Sequence, residues 1–394
     1  SHKVDQAGSS MIKPASIPLA LYVHLPWCTQ KCPYCDFNSH EGFSPTLQQP
    51  YVDALLSDLD SQLEWLNGRP IRSIFIGGGT PSLFDGECIA QLLAGIGDRL
   101  TLSGDAEITL ESNPNSADAG HFKRYRRAGI NRLSIGVQTF HDHALQSLGR
   151  LHSGDEARHA LDHIPAAGFD RWNIDLMHGL PGQNAEMAEA DVAEAIERSA
   201  GHISWYQLTI ERNTRFWSAP PTLPGEDELE RIQSRGEGML QTAGFLQYEV
   251  SAYSRDGEES RHNLNYWQFG DYVGLGAGAH GKVTRPTGDI LRTHRTRLPN
   301  DYLKLNQRAG MAPPATTTIS PQAVIGEFAM NALRLKGGVS LGDFTDRTGL
   351  QISDLVAAAD EAISRGWVAT TATQQFVATE LGYQFLDSTV ATFL

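Results

Sequence analysis

Cysteine is scarce in this sequence of 394 residues, which holds only four. A secreted domain held together by disulfides needs an even, dispersed set of cysteines, so the scarcity indicates a reducing compartment, and we expect a cytoplasmic protein. Three of the four nevertheless lie within eight positions, at Cys28, Cys32 and Cys35 of "WCTQKCPYCDF". Such a cluster, in a chain otherwise poor in thiols, indicates a group that binds sulfur.

The sequence also lacks a long apolar run, a surplus of basic charge and a secretory leader. No uninterrupted apolar stretch approaches the roughly 18 residues that a membrane-spanning helix requires. The formal net charge of −14 disfavours broad binding to nucleic acid, because phosphate contacts need a basic face. No basic segment followed by an apolar stretch opens the chain. Residues 1–10 have the composition of a cloning remnant ahead of a start at Met11.

Six apolar, β-rich segments alternate with amphipathic segments that favour helices. The β-rich segments are residues 19–26, 71–79, 106–114, 131–140, 171–181 and 202–211. Apolar strands joined by helical crossovers predict a parallel sheet covered on both faces, and six such units favour a βα barrel, complete or partial. Glu111, Gln138 and Asp175 fall where strands end. In a barrel those ends gather on the face that carries active sites.

The three clustered cysteines could ligate zinc or an iron–sulfur cluster, and their spacing alone does not choose between the two. Zinc needs a fourth ligand, which His24 or His40 could supply, whereas a cluster held by three thiolates leaves one iron open for a small molecule. The position of the loop, directly after the first strand on the catalytic face, favours the cluster over a structural metal. Cys88, outside the loop, is expected to be a small buried hydrophobe.

Several motifs resemble a known superfamily. Cys-x₃-Cys-x₂-Cys after a first strand, with Tyr34 before the last cysteine, is similar to the signature of radical S-adenosylmethionine enzymes, and "GGGTP" at residues 77–81 resembles their glycine-rich stretch. The segments "LYVHLPWCTQKCPYCDFNSH", "NIDLMHGLPGQ" and "HNLNYWQFGDYVGLGAGAHG" resemble, within that superfamily, the HemW family of haem chaperones, relatives of oxygen-independent coproporphyrinogen oxidase. The resemblance covers the chain from about residue 16 to the C-terminus.

This resemblance implies an α/β fold with a partial (β/α)₆, TIM-like radical S-adenosylmethionine barrel over residues 16–215. An extension over residues 216–316 would carry the His-Asn-x-x-Tyr-Trp element. The implied [4Fe–4S] cluster is ligated by the three clustered cysteines. The implied S-adenosylmethionine site is lined by Tyr22, Tyr34, Gly78, Gly79, Thr80, Glu111, Gln138, Arg150 and Asp175. Haem would contact His262, Tyr266 and Trp267, with His262 as an axial iron ligand and His280 as the alternative.

Two functions follow from the resemblance. The leading hypothesis is a chaperone that binds haem and transfers it to acceptor proteins, with respiratory haemoproteins as candidate acceptors and peripheral membrane association through them. The alternative is a radical S-adenosylmethionine enzyme that oxidises a porphyrinogen or transfers an alkyl group. The resembled oxidase carries a further cysteine two residues after its third cluster ligand, where this chain has Phe37. That departure favours the chaperone and leaves open whether the chain is an enzyme.

Residues 321–394 change in character. Three helical segments followed by a hairpin predict a winged-helix-like domain, so the region beyond the barrel is α+β. Four Lys and Arg against eight Asp and Glu give this region a net charge of −4, which is unsuited to phosphate contacts. We therefore expect a lid or docking module, and no nucleic acid among the partners.

Overall fold

Six consecutive parallel strands form the centre of the computed structural model, which describes residues 12–306 and 309–394. They are β1 (Leu19–Leu25), β2 (Ile71–Gly78), β3 (Leu102–Ser112), β4 (Arg132–Gln138), β5 (Trp172–His178) and β6 (His202–Gln207). Each strand pairs with the next in chain order. All six strands predicted from the sequence are thereby confirmed in position, while the predicted cloning remnant and Met11 lie outside the described residues.

Helices connect these strands and cover the outer face of the sheet. They are α1 (Gln48–Asp60), α2 (Leu63–Leu66), α3 (Gly86–Arg99), α4 (Ser116–Ala119), α5 (Phe122–Ala128), α6 (Asp142–Ser147), α7 (Gly154–Ala166) and α8 (Ala185–Arg198). Side chains cap the two longest of them: Asp85 accepts from the amide of Cys88 in α3, and Asn184 accepts from the amide of Met187 in α8. Each cap satisfies an amide that the first turn leaves without a partner.

The two faces of the strands differ in polarity. Leu21, Val23, Ile74 and Ile76 are fully buried and belong to the main hydrophobic core with the helices. Alternate residues point the other way, and on β3 these include two carboxylates, which lie on the concave inner face of the sheet. The inner face of this barrel is therefore polar, and it is available to build a site.

The sheet continues beyond both ends of the parallel strands. The next elements are α9 (Arg215–Ser218), α10 (Glu226–Thr242), β7 (Leu246–Glu249), β8 (Ala252–Ser254), α11 (Arg261–Trp267), β9 (Asp271–Leu275), β10 (His280–Thr284), β11 (Ile290–His294), α12 (Pro299–Leu305) and β12 (Ala315–Thr318). The strand order is β12-β11-β10-β9-β1-β2-β3-β4-β5-β6-β8-β7. Because β1 pairs with β9 and β6 pairs with β8, the barrel stays open, which confirms the partial barrel. The domain boundaries at residues 215 and 316 stay predictions.

The C-terminal region has its own small sheet and core. Its elements are α13 (Pro321–Ala332), β13 (Val339–Ser340), α14 (Leu341–Thr348), α15 (Ile352–Ala358), α16 (Asp360–Ser364), β14 (Val368–Thr370), β15 (Gln375–Ala378), α17 (Glu380–Gln384) and α18 (Leu386–Ala391). The three strands pair in the order β13-β15-β14. Phe328, Phe344 and Phe376 pack together at the centre. Helices followed by a hairpin match the predicted winged-helix-like architecture, with two further short helices at the end.

None of the helices in residues 12–306 and 309–394 is both long enough and apolar enough to span a bilayer.

Candidate functional site

A cavity of about 360 Å³ opens at the carboxyl ends of the parallel strands. Most residues that the sequence assigned to the cluster and to S-adenosylmethionine line it, namely Cys28, Cys32, Tyr34, Cys35, Gly78, Gly79, Thr80, Glu111, Gln138, Arg150 and Asp175. The cavity volume lies in the range of small-molecule sites. Residues that are up to 147 positions apart in the sequence thus share one cavity, at the place where a βα barrel presents its active site.

The cysteine loop follows β1 and is folded back on itself by backbone hydrogen bonds. The amide of Cys28 donates to the His40 carbonyl over 3.0 Å, and the amide of Cys35 donates to the Cys32 carbonyl over 3.1 Å. Cys28 is 7% exposed, and burial raises the pKa of its thiol, with the neighbouring cysteines adding to the shift. Nearby cations or a metal would be needed to favour the thiolate.

The donor set of this loop fits a three-thiolate cluster better than zinc. Both ring nitrogens of His24 are engaged, Nδ1 with the Tyr22 hydroxyl at 2.9 Å and Nε2 with the Asn38 carbonyl at 2.7 Å. His40 Nε2 hydrogen-bonds the Asn38 side chain at 2.9 Å. Within the described residues, no three His, Cys, Asp or Glu side chains are already arranged to hold an ion. The three thiols share a cavity, and His24 has no ring nitrogen left to serve as a fourth ligand.

The glycine-rich stretch at the end of β2 allows two segments of backbone to meet. Gly78 has a φ of 131°, and a Cβ on it would lie 2.4 Å from the Leu25 carbonyl oxygen. A Cβ on Gly79 would lie 2.4 Å from the Trp27 carbonyl oxygen. The amide of Gly79 donates to Leu25 and that of Thr80 donates to Trp27. These amides therefore hold the cysteine loop in place, and glycine is needed because a side chain would keep the two backbone segments apart.

Two half-buried carboxylates face the cavity, Glu111 from β3 and Asp175 from β5. Glu111 accepts a hydrogen bond from the Gly78 amide over 3.2 Å. Burial, together with the charge of Asp175, raises the pKa of Glu111 to about 8. Burial also raises the pKa of Asp175, although Asn173 donates to it over 2.8 Å and opposes the shift. A pair of carboxylates that is costly to ionise suits a positively charged ligand, which would relieve the repulsion between them.

Arg150 connects the cysteine loop to the strand ends. Its guanidinium donates to the Gly136 carbonyl at 2.7 Å and to the Asn113 side chain at 3.0 Å, and it lies 3.8 Å from Cys32 Sγ.

Gln138 has a φ of 69° and accepts from the Tyr206 hydroxyl over 3.0 Å. A left-handed conformation is uncommon for a residue other than glycine and marks a position held by its surroundings.

The sequence interpretation missed several polar residues of this cavity, among them Asn113 and Tyr206. Both lie at strand ends, as Glu111 does, so the same signal could have found them. Tyr22 was assigned to the cavity but is not among the residues that line it. Its ring stacks on Phe75 inside the barrel, and burial followed by the charge of Glu111 raises the pKa of its hydroxyl.

The predicted haem-contacting residues lie on α11, at the other end of the barrel. His262 is 1% exposed, its Nδ1 hydrogen-bonds the Ser73 hydroxyl at 2.8 Å and its Nε2 hydrogen-bonds the Tyr266 hydroxyl at 2.8 Å. Burial lowers the pKa of His262 to about 3, so the ring is neutral. Trp267 is half-buried, packs against the C-terminal core and lies under the guanidinium of Arg334 at 4.3 Å.

Glu107 on β3 fixes the start of α11. Its carboxylate accepts from the amides of Arg261 and His262 over 3.1 and 3.0 Å, and Arg171 donates to it over 2.8 Å. A carboxylate at the first turn complements the unpaired amides of a helix. The predicted role of His262 as an iron ligand stays a prediction, because both ring nitrogens already have partners within the protein.

Comparison with known proteins extends over nearly the whole chain. The chain is 46% identical over 377 residues to "Heme chaperone HemW" of Escherichia coli strain K12, covering 96% of this chain and 98% of the relative. It belongs to the HemW family.

Further matches agree with this membership. The HemW protein of Haemophilus influenzae is also 46% identical over 96% of this chain and 98% of its own length. A mouse protein, "Radical S-adenosyl methionine domain-containing protein 1, mitochondrial", is 36% identical over 83% of this chain and 75% of its own. The Radical SAM superfamily matches residues 22–195, and the HemN C-terminal domain matches residues 319–385.

The fold of this HemW family member is also that of a solved relative. Coproporphyrinogen III oxidase (HemN) from Escherichia coli, a radical SAM enzyme, superimposes with a TM-score of 0.80. The superposition covers 96% of this chain and 90% of that chain at 21% identity. At that identity the likeness concerns the fold, so the radical S-adenosylmethionine barrel and the C-terminal domain are shared, and the reaction is not inferred from it.

Proposed function

We propose that this protein is a haem chaperone that carries a [4Fe–4S] cluster and S-adenosylmethionine. The observation that supports this most is the 46% identity to a protein named as a haem chaperone, which extends over 96% of the chain. The similarity therefore includes both the barrel with its cysteine loop and the regions that follow it.

The residues of the strand-end cavity have complementary tasks in this proposal. The three clustered cysteines would hold the cluster, which supplies one-electron chemistry at an iron with an open coordination position. Glu111 and Asp175 offer negative charge to the sulfonium and amino groups of S-adenosylmethionine, and Arg150 offers a fixed guanidinium to its carboxylate. Gly78 and Gly79 let the loop approach closely enough for all of these groups to face one volume.

Haem is the cargo in this proposal, and the His-Asn-x-x-Tyr-Trp helix α11 is the element assigned to it. His262 could bind iron only after one of its two ring nitrogens gives up its present partner. His280, on β10, is exposed, and burial of part of its ring followed by the charge of His294 lowers its pKa, so the neutral form that ligates iron is available. The cytoplasm is the proposed location, with haem proteins as acceptors.

Phe37 bears on the choice between chaperone and oxidase. Its side chain is 68% exposed at the rim of the cavity, at the position where the resembled oxidase has a cysteine. An apolar ring thus stands where the resembled oxidase has a thiol, which favours the chaperone.

The test is a haem titration of anaerobically reconstituted protein, followed by transfer to an apo-haemoprotein, beside an assay of coproporphyrinogen decarboxylation. We expect one haem per chain, transfer to the acceptor and no decarboxylation. Decarboxylation at catalytic rates, with no stoichiometric haem binding, would assign the chain to the oxidases instead.

A further inference from the structure

A second cavity, of about 480 Å³, lies at the amino-terminal end of the barrel, far along the strands from the cysteine loop. Three arginines from three elements line it: Arg72 at the start of β2, Arg261 at the start of α11 and Arg347 on α14 of the C-terminal region. Among the described residues, the one carboxylate in its lining is Asp105 of β3. We call this volume the arginine cavity.

Among the described residues that line the arginine cavity, three guanidiniums face a single carboxylate, and two of the three also contact a carboxylate outside the lining. Arg72 is exposed at the mouth of this cavity, and it takes part in none of the hydrogen bonds or ion pairs given for the described residues. Arg261 lies 3.5 Å from Asp105 and 3.6 Å from Glu107, and Arg347 lies 3.5 Å from Asp343. Burial lowers the pKa of Arg347; the charge of Asp343 opposes this shift, and the nearby charge of Arg72 adds to it. Two guanidiniums that repel each other across a cavity favour an anion placed between them.

The arginine cavity adjoins the helix that carries the His-Asn-x-x-Tyr-Trp element. Leu264 of α11 lines it, and so does Ser73 of β2, whose hydroxyl bonds the ring of His262. The wall thus contains the apolar side chain of Leu264 beside the guanidiniums, and Ser73 connects the wall to the buried imidazole of His262. Planar guanidiniums bind carboxylates through two parallel hydrogen bonds, which makes arginine well suited to a ligand with two carboxylates.

We propose that the arginine cavity receives the two propionate carboxylates of haem, with Arg72 and Arg347 as their principal partners. The proposal rests on the proposed function, since it names where the cargo of the chaperone is held. It also gives the C-terminal region a part in binding, because Arg347 belongs to that region and Arg72 to the barrel. Free phosphate shares the anionic chemistry and is the alternative source that the experiment must distinguish.

The experiment compares haem with its dimethyl ester, which has the same macrocycle and iron but no carboxylates. Both are titrated, by Soret absorbance, into reconstituted wild type, the double variant Arg72→Gln/Arg347→Gln, and the control Arg127→Gln, an exposed arginine of α5. We expect wild type and Arg127→Gln to bind haem about tenfold or more tightly than the ester, as for one or two charge-assisted hydrogen bonds. The double variant should bind haem and the ester equally, with iron content unchanged.

The outcomes separate the two proposals. Equal binding of haem by wild type and the double variant, with the ester bound as well as haem, would overturn the arginine cavity while leaving the chaperone function intact. No stoichiometric uptake of either compound by wild type would overturn the proposed function itself. Excess inorganic phosphate could also compete with haem in wild type and not in the double variant, while haem and ester bind equally. That result would assign the arginine cavity to phosphate and contradict the propionate proposal.

Discussion

Glu111 should make the metal-free protein less stable as the pH rises, and Glu111→Gln should remove this dependence. The pKa of Glu111 is raised to about 8 by burial and by the charge of Asp175, whereas an exposed glutamate in the unfolded chain titrates at about 4.3. Between these values the folded state retains a proton that the unfolded state releases. The free energy of unfolding therefore falls with pH across that window, by up to about 1.4 kcal/mol per pH unit.

The magnitude follows from the fraction of carboxyl that is protonated. Between pH 6 and 8 the folded state goes from almost fully protonated to about half, so wild type should lose about 2 kcal/mol relative to the glutamine variant. The measurement is denaturant unfolding of both metal-free proteins at pH 6, 7 and 8, taking the difference in free energy of unfolding at each pH. Other groups that titrate in this range cancel in that difference unless they interact with Glu111.

Glu107→Gln is the matched control, because it changes a second glutamate of the same strand, and this one is fully buried. Burial alone would raise the pKa of Glu107, but the charges of Arg132 and Arg171 outweigh it and lower the value to about 2. Its carboxylate is ionised throughout the range, so the variant should be destabilised by about 3 kcal/mol at every pH, through the unpaired arginines it leaves. A difference between Glu111→Gln and wild type that stays constant from pH 6 to 8 would show that Glu111 is already ionised and would refute the reasoning.

Two further predictions concern the cysteine loop. Gly79→Ala should lower the free energy of unfolding by about 1 to 3 kcal/mol and reduce iron uptake, because its Cβ would lie 2.4 Å from the Trp27 carbonyl oxygen. The control Gly97→Ala in α3, whose Cβ would have nothing within 4 Å, should instead raise the free energy of unfolding by up to about 1 kcal/mol. Equal effects of the two substitutions on the unfolding midpoint would contradict this account. Cys32→Ser should abolish iron and sulfide uptake on anaerobic reconstitution, whereas the control Cys88→Ser should take up both as wild type does. Normal uptake by both variants, or stoichiometric zinc in wild type, would exclude the three-thiolate cluster.

The strands and much of the candidate site were predictable because their signals are local. Apolar residues such as Leu21 and Ile74 mark the outer face of each strand, and a carboxylate such as Glu111 at the end of an apolar run marks the face where strand ends converge. Asn113 and Tyr206 carry the same signal more weakly, since an amide or a phenol in such a run is also compatible with an ordinary buried position.

The environment of α11 could not be predicted, because it depends on contacts between distant parts of the chain. His262 is 189 residues from Ser73 and 155 residues from Glu107, which supplies its amide partner. A histidine beside two aromatic residues has the same local pattern whether its ring faces a ligand or an internal hydroxyl. The role of Gly79 was hidden for a similar reason, as the atom that excludes a side chain there belongs to the loop after another strand.

The two carboxylates of β3 also bear on how the barrel reaches its correct alignment during folding. Glu107 and Glu111 are four residues apart and point to the same side of a strand whose alternate residues, Ile108 and Leu110, belong to the hydrophobic core. If β3 paired with β2 one residue out of register, both carboxylates would turn into the apolar helix layer and both apolar side chains would turn into the polar interior. Each carboxylate placed there without a partner would cost several kcal/mol. The same residues that serve the two ends of the barrel thus discriminate strongly against misaligned pairing of its third strand.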